Sequence, residues 1–204
     1  MPMLINDRKL EAKLLKRRRL SGGDRYDEVW DGVYIMSPLA NDEHQRLVGK
    51  FSRVIDEVIG DPGLGEVRPG VNVSDRGKGW RRNFRCPDVA VKLNGGLAKI
   101  LKNHWCGGPD FVVEIASKGD RSLEKLDFYS AIGTRELLIV NREPWSLELY
   151  ELREGTLVSA GASKIGSPTP LSSEVLPLTF RLIEGSPKPR IEVIHIESGQ
   201  TWVI

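Results

Sequence analysis

Two short stretches of the sequence place an aspartate directly after a proline and ahead of an apolar run. Pro87–Leu93 reads PDVAVKL, and Pro109–Ala116 reads PDFVVEIA, in which Glu114 interrupts the apolar residues. An ionised carboxylate inside a buried strand loses its hydration, which costs several kcal/mol unless a cation compensates it. Glu114 therefore needs a partner. An Arg or Lys in a structural ion pair and a bound metal ion both explain the pattern.

Strand geometry indicates which aspartate can act together with Glu114. Asp110 lies four residues before Glu114, which separates the two Cα atoms by roughly 13 Å on one strand. Carboxylates that bind one metal ion at ~2 Å must lie within about 4–5 Å of each other. Asp88 comes within ~5 Å of Glu114 if the two strands pair. We therefore predict that Asp88 and Glu114 act together and that Asp110 marks a strand entry or turn.

The donor chemistry of this pair favours Mg²⁺ or Mn²⁺, because hard oxygen ligands occur here without clustered His or Cys. Such ions serve phosphate chemistry, which also uses a nearby cation. Lys92 lies ~13 Å along the strand from Asp88, and Lys118 follows the end of the Glu114 strand. Lys125 is predicted on the next helix with Tyr129 at i+4 on the same face. A helix packed over the sheet would direct both toward the carboxylates, but from this segment alone ordinary helix surface is the favoured explanation.

Hydrophobic periodicity predicts the elements that carry these residues. Helices are predicted at Arg8–Leu20 (a basic helix), from Asn41 or Asp42 to about Ile59, and from about Asp120 to Ile132. Strands are predicted at Val67–Ser74, Asn83–Leu93, Phe111–Ala116, Glu136–Val140 and Ser146–Leu152, with a hairpin turn at Asp31-Gly32. This order predicts an α/β domain with a mixed sheet over residues 1–152. A shift in composition then predicts a β-rich C-terminal extension over 153–204 that packs on this core.

Composition restricts the class of protein. Hydrophobic residues make up 40% and charged residues 28% of the 204 residues, which is typical of a globular protein. The net charge of +2 permits a nucleic-acid partner without requiring one. The sequence shows no signal peptide and no apolar stretch of transmembrane length. Cys86 and Cys106 are therefore expected as free thiols in the cytoplasm, and too few Cys and His are present for a structural zinc site.

The segment RCPDVAV, followed by GGPDFVVEIASKGDRSLEKLDFYSAIGTRELLIV, resembles the Uma-two family of restriction endonucleases within the PD-(D/E)XK nuclease superfamily. The resemblance includes the upstream segment YDEVWDGVYIMSPLANDEHQRLVGK, and it extends from Tyr26 to Tyr150. It implies a restriction-endonuclease-like core, with a central mixed β-sheet flanked by helices, and cleavage of DNA phosphodiester bonds that depends on Mg²⁺ or Mn²⁺.

The resemblance also assigns site residues. Asp88 and Glu114 match the metal ligands of the superfamily. The superfamily lysine normally stands two residues after the glutamate, where this chain has Ala116. In the Uma-two family the lysine is found on the next helix, which matches Lys125. The implied catalytic residues are therefore Asp88, Glu114 and Lys125.

Three further residues are candidates for the same site. Glu28 matches an upstream glutamate of the family, as an additional ligand or as half of a hairpin ion pair. His44 matches a histidine that opens a helix, where capping or hydrogen bonding explains it as well as catalysis does. Tyr129 accompanies Lys125 on the predicted helix.

The loop before Asp88 is basic and contains Trp80, a combination that nucleic-acid binding uses. The predicted DNA-binding residues are Lys78, Arg81, Arg82 and Arg85, with a solvated hairpin as the alternative reading. The expected partner is DNA, and a homodimer is expected because cutting both strands favours a symmetric pair. The alternative function is a catalytically inactive nuclease-fold module that binds nucleic acid or protein, in which Lys125 or an Arg closes the acidic pair.

Overall fold

The computed structural model describes residues 8–117 and 121–204. The helical segments are α1 (Arg8–Ser21), α2 (Asp42–Ile55) with a π-helical turn at Asp56–Gly60, 3₁₀ turns at Trp80–Arg82 and Ser122–Lys125, and α3 (Leu126–Ala131). The strands are β1 (Glu28–Trp30), β2 (Val33–Ile35), β3 (Gly65–Pro69), β4 (Val73–Ser74), β5 (Phe84–Arg85), β6 (Val89–Leu93), β7 (Lys99–Ile100), β8 (Trp105–Cys106), β9 (Phe111–Ala116), β10 (Glu136–Arg142), β11 (Trp145–Arg153), β12 (Thr156–Lys164), β13 (Leu171–Ser172), β14 (Leu178–Ile183), β15 (Arg190–His195) and β16 (Thr201–Val203).

The central sheet has the strand order β12-β11-β10-β9-β6-β3. Strands β9 and β10 run parallel, whereas β6 pairs with β9, β10 with β11 and β11 with β12 in antiparallel orientation. The sheet is therefore mixed, and helices lie on both of its faces. This confirms the predicted α/β class with a central mixed sheet flanked by helices.

The alternation of side chains along β9 assigns each residue to one face of this sheet. Val113 and Ile115 belong to a large core that includes residues of α2 and of the C-terminal strands. Val112 and Ala116 belong to a smaller core on the opposite face, together with Phe128 of α3. Glu114 shares the orientation of Val112 and Ala116, so its carboxylate points toward the α3 side.

The C-terminal residues form an antiparallel sheet in the order β13-β14-β15-β16, which confirms the predicted β-rich segment. Apolar residues of β14 and β15, including Phe180 and Val193, are buried in the same core as α2. Strand β12 instead forms an edge of the central sheet by pairing with β11. The predicted boundary between 152 and 153 thus falls at the end of β11, and the division into two units stays a prediction.

Two strand predictions were wrong in the same way. Val67–Ser74 divides into β3 and β4, and Asn83–Leu93 divides into β5 and β6. In both cases one of the two shorter strands, β4 or β5, belongs to a second sheet with the order β2-β1-β5-β4-β8-β7. The other, β3 or β6, belongs to the central sheet. Gly70 allows the first break because its backbone has φ +60°. Pro87 lies at the second break, where a proline cannot donate a ladder hydrogen bond.

Other local predictions agree with the structure. Asp31 and Gly32 both have positive φ, at 47° and 87°, as a two-residue hairpin turn requires. Asn41 caps α2 by accepting a hydrogen bond from the backbone N–H of His44 at 2.9 Å. The predicted start of the third helix, Asp120, lies outside the described residues. No helix in the described ranges is both long and apolar enough to cross a lipid bilayer.

Candidate active site

Asp88 and Glu114 lie across from each other at the end of the β6–β9 ladder. The register pairs Val89 with Val113 and Ala90 with Val112, and one further step in the same register places Asp88 opposite Glu114. The predicted pairing of these two strands is therefore confirmed. Antiparallel partners that face each other in this way lie on the same face of the sheet.

Both carboxylate oxygens of Asp88 accept hydrogen bonds. The backbone N–H of Ile115 donates to Oδ2 at 2.7 Å, and Nε2 of His44 donates to Oδ1 at 2.7 Å. His44 lies in the first turn of α2, where the Asn41 cap holds its backbone. The predicted helix-opening histidine thus contacts the predicted metal ligand directly. The side chain of Asp88 stays 19% exposed, so it forms the open side of the site.

Glu114 is buried and bonded at both oxygens. The ammonium of Lys125 donates to Oε2 at 2.8 Å, and the hydroxyl of Tyr129 donates to Oε1 at 2.7 Å. Lys125 ends the 3₁₀ turn and Tyr129 lies in α3, so the helical segment after β9 directs both toward the sheet. The predicted approach of Lys125 and Tyr129 to the carboxylates is what the geometry shows.

Glu28 of β1 completes the buried cluster. Its Oε1 accepts hydrogen bonds from the ammonium of Lys125 at 2.9 Å and from the backbone N–H of Cys86 at 2.8 Å. Its Oε2 accepts a hydrogen bond from the indole N–H of Trp30 at 2.6 Å. Lys125 therefore bridges two carboxylates that come from different sheets.

The electrostatics follow from this burial. Burial raises the pKa of Glu114 to about 8, although the adjacent Lys125 opposes the shift. Burial alone would lower the pKa of Lys125, but Glu114 and Glu28 raise it above its ordinary value, so the lysine stays charged. Burial and the neighbouring Glu114 also raise the pKa of Tyr129, which keeps its hydroxyl proton as a donor.

The donor set fits a hard divalent cation. Asp88 and Glu114 provide carboxylate oxygens. One further acid, Glu28, and two cations, Lys125 and Arg85, lie nearby. Among the residues that the structure describes, no three His, Cys, Asp or Glu side chains form a ready metal cluster. A cation held by two carboxylates would take its other ligands from water or substrate, as Mg²⁺ usually does.

Asp110 serves a different purpose, as the strand geometry predicts. Its Oδ2 accepts a hydrogen bond from the backbone N–H of Leu93 at 2.8 Å, and Arg135 lies 3.3 Å from Oδ1. Its carboxylate also lies close to Gly96, where an added Cβ would approach to 2.1 Å of Oδ2. Asp110 therefore fastens a turn to the sheet at the far end of the ladder from Asp88.

The predicted DNA-binding residues differ in their exposure to solvent. Lys78, Arg81 and Arg82 are exposed, and the guanidinium of Arg81 lies 5.3 Å from the centre of the Trp80 ring. Arg85 differs from the prediction, because its side chain is only 4% exposed. It is enclosed by aromatic rings and backbone carbonyls, so we remove it from the predicted surface. Lys118, the candidate lysine at the strand end, lies outside the described residues.

The residues that support Glu28 were not among the predicted site residues. The guanidinium groups of Arg85 and Arg121 lie 4.6 and 4.3 Å from the Trp30 ring, and Arg85 also lies 4.1 Å from the ring of Phe128. This stack holds the indole that donates to Glu28. The spacing could have indicated the contact between Glu28 and Trp30, because residues two positions apart on a strand share a face.

A mixed sheet with a buried cluster of carboxylates and one lysine agrees with the restriction-endonuclease-like core that the sequence resemblance implies. The profile of the Uma-two (Uma2) family, described as "Putative restriction endonuclease", matches residues 14–183. Because this match covers most of the sequence, the chain belongs to that family. The family description indicates a nuclease in general terms.

A solved structure shares the fold. The chain resembles the crystal structure of "a putative nuclease belonging to DUF820" from Anabaena variabilis ATCC 29413, with a TM-score of 0.57 and 15% sequence identity. The similarity covers 73% of this chain and 83% of that chain. At this identity the likeness shows a common fold and nothing about substrate. A comparison with curated proteins found no match.

Proposed function

We propose that this protein is a metal-dependent endonuclease that hydrolyses phosphodiester bonds in DNA. The observation that carries the proposal is the convergence of three side chains from separate elements. Asp88 precedes β6, Glu114 lies within β9, and Lys125 ends a 3₁₀ turn, yet the hydrogen bonds and register described above bring them to one point. The description of the Uma-two family supports the same class of activity.

Asp88 and Glu114 would hold the metal ion, with Mg²⁺ or Mn²⁺ as the expected ion because the donors are carboxylate oxygens. When bound, such an ion lowers the pKa of a coordinated water and stabilises negative charge on a phosphoryl group. The partly exposed Asp88 gives access to the ion and substrate. The buried Glu114 fixes the position of the second carboxylate.

The surrounding residues would orient these groups and supply positive charge. Lys125 would position the attacking water and offset the charge that develops on the phosphate. Glu28 anchors this lysine from the opposite side to Glu114. His44 holds one oxygen of Asp88, and Tyr129 holds one oxygen of Glu114. Such hydrogen bonds fix the orientation of metal-binding carboxylates.

The exposed residues Lys78, Arg81 and Arg82 would contact DNA phosphates next to Trp80. Phosphate contacts from Lys and Arg provide most of the affinity in non-specific DNA binding. The position of these residues in the sequence supports this assignment, because the loop that carries them continues through β5 to Asp88.

Cleavage of a supercoiled plasmid tests the proposal. We expect the wild-type protein to nick or linearise the plasmid in Mg²⁺ or Mn²⁺ and to leave it intact in EDTA. Asp88→Ala and Glu114→Asn should abolish cleavage. Asp110→Asn is the matched control, because it alters the other Pro-Asp motif, away from the site, and it should preserve cleavage. Wild-type protein that neither binds Mn²⁺ in calorimetry nor cuts DNA would refute the proposal.

One observation favours the second candidate, an inactive module that binds nucleic acid or protein. Lys125 already donates hydrogen bonds to both Glu28 and Glu114, so one internal cation occupies both glutamates. In an inactive module this closure would be permanent. The plasmid assay separates the two functions, because a module would bind DNA or a protein partner while the plasmid stays intact in every metal tested.

We also propose that the protein works as a homodimer in the cytoplasm and that residues 1–152 and 153–204 are its two structural units. The symmetry of duplex DNA supports a dimer. Two free cysteines support a reducing compartment. Sedimentation equilibrium tests the dimer, and limited proteolysis near residue 153 tests the division.

A further inference from the structure

The seam between α2 and the C-terminal sheet contains a groove of about 460 Å³. One wall comes from the exposed side of α2, and the other comes from the loop between β14 and β15 together with the last residues of the chain. The charged residues that line it are Asp42, Glu43, Arg46, Lys50, Lys188 and Arg190. Cations therefore outnumber acids two to one and are present on both walls.

One of the two acids on this surface, Glu43, is compensated by nearby cations. Glu43 accepts a hydrogen bond from Lys188 at 2.6 Å and lies 3.4 Å from the guanidinium of Arg142. Within the described part of the chain, Arg46, Lys50 and Arg190 form no ion pair, and all three are exposed. Among the described residues the groove thus presents three cations that form no ion pair, Arg46, Lys50 and Arg190, against the single further acid Asp42.

The groove adjoins the candidate active site. Asp42 and Glu43 in its lining directly precede His44, whose ring contacts Asp88 at 2.7 Å. Lys50 lies six residues further along α2, which is roughly 9 Å along the helix axis. A linear polyanion that lies in the groove would therefore reach the N-terminal end of α2, where His44 contacts Asp88.

From this placement we infer that the groove between α2 and the β14–β15 loop binds the phosphate backbone of double-stranded DNA and leads it to Asp88. This gives the C-terminal segment a direct part in substrate binding, and it rests on the proposed nuclease function. The concave shape and the cations on two walls suit a charged strand that lies between them. An anionic membrane would instead favour a surface with an exposed apolar face.

A neighbouring groove gives the inference an internal comparison. It is lined by Glu143, Glu148, Trp145 and Lys164, among others, and adjoins the first groove at Pro189. Its charged groups are mainly acidic, so it should repel phosphate. DNA is therefore expected to follow the α2 side of the seam only.

The test measures the affinity of a short fluorescein-labelled DNA duplex by anisotropy without Mg²⁺, at salt concentrations between roughly 50 and 200 mM. The variant Lys50→Ala/Arg190→Ala removes one cation from each wall. If each contacts a phosphate, the slope of log K against log salt falls by about 1.8, and affinity near 0.1 M salt falls by on the order of tenfold per residue. The matched control, Arg153→Ala/Lys164→Ala, also removes one Lys and one Arg and should bind like wild type.

The outcomes separate this inference from the proposed function. If both double variants bind duplex like wild type, while Asp88→Ala still abolishes plasmid cleavage, the groove assignment is wrong and the nuclease proposal stands. If wild type neither binds duplex nor cuts plasmid, both are wrong. Equal affinity and salt dependence for phosphatidylserine vesicles would overturn the assignment to DNA. Thermal unfolding of each variant confirms that these exposed substitutions leave the fold intact.

Discussion

Replacing Lys125 by methionine removes the only cation that bonds to Glu28 and Glu114 in the described part of the site. Breaking a buried ion pair by removing one partner costs ~3–5 kcal/mol, because the remaining charge is buried without compensation. Two carboxylates are affected here, but Glu114 can relieve its charge by binding a proton, since burial already raises its pKa to about 8. We therefore expect Lys125→Met to lower the free energy of unfolding by about 3 kcal/mol at neutral pH.

The loss should depend on pH in a defined direction. The pKa of Glu114 in the folded protein lies above its ordinary value of 4.5, so protonation favours the folded state. Without Lys125 this shift increases. The stability lost in Lys125→Met should therefore stay nearly constant between pH 4.5 and about 8, and it should grow as the pH rises above about 8, where Glu114 ionises in the wild-type protein.

Urea denaturation followed by circular dichroism measures both effects. Lys92→Met is the matched control, because the Lys92 ammonium contacts only the Leu93 carbonyl at 3.1 Å among the described residues, and its loss should stay within about 0.5 kcal/mol. Adding Glu28→Gln to Lys125→Met should recover part of the stability, with a coupling of about 1 kcal/mol or more. A loss below about 1 kcal/mol in Lys125→Met, or a loss that does not grow as the pH rises above about 8, would refute the buried cluster.

Three further predictions concern neighbouring groups. Trp30→Phe preserves the aromatic face but removes the indole donor to Glu28, so the free energy of unfolding should fall by about 1–3 kcal/mol in urea titrations; an unchanged midpoint would contradict this bond. His44→Ala should weaken Mn²⁺ binding by about 10–100-fold in calorimetry, because the residue orients a proposed metal-binding carboxylate. Since burial raises the pKa of Cys86, a thiol reagent at neutral pH should modify the partly exposed Cys106 first and Cys86 only after unfolding, and rapid reaction of both thiols would count against the prediction.

The site pair could be predicted from the sequence because it depends on local regularities. A strand rise of ~3.3 Å per residue excludes Asp110 from a site with Glu114. The tendency of successive strands to pair then selects Asp88, and the register of β6 with β9 confirms that pairing. The strand breaks at Gly70 and Pro87 could also have been predicted, because glycine and proline interrupt strands. The apolar residues around them favoured the prediction of continuous strands.

The position of Arg85 could not be predicted in this way. A basic residue in a basic loop is expected at the surface, and its burial depends on Trp30 and Phe128, which come from distant parts of the chain. The groove beside α2 is equally non-local, because its two walls lie more than a hundred residues apart in sequence. Such features depend on tertiary packing, which local periodicity does not encode.

An anomalous difference map from crystals soaked in Mn²⁺ tests the central claim most directly. We predict one strong peak bonded to carboxylate oxygens of both Asp88 and Glu114 at about 2.1 Å, next to the ammonium of Lys125. The same soak of Asp88→Asn should show no peak at this position. A map in which wild-type protein binds no Mn²⁺ at this pair, with Lys125 still bonded to both glutamates, would contradict the claim that these carboxylates form a metal site.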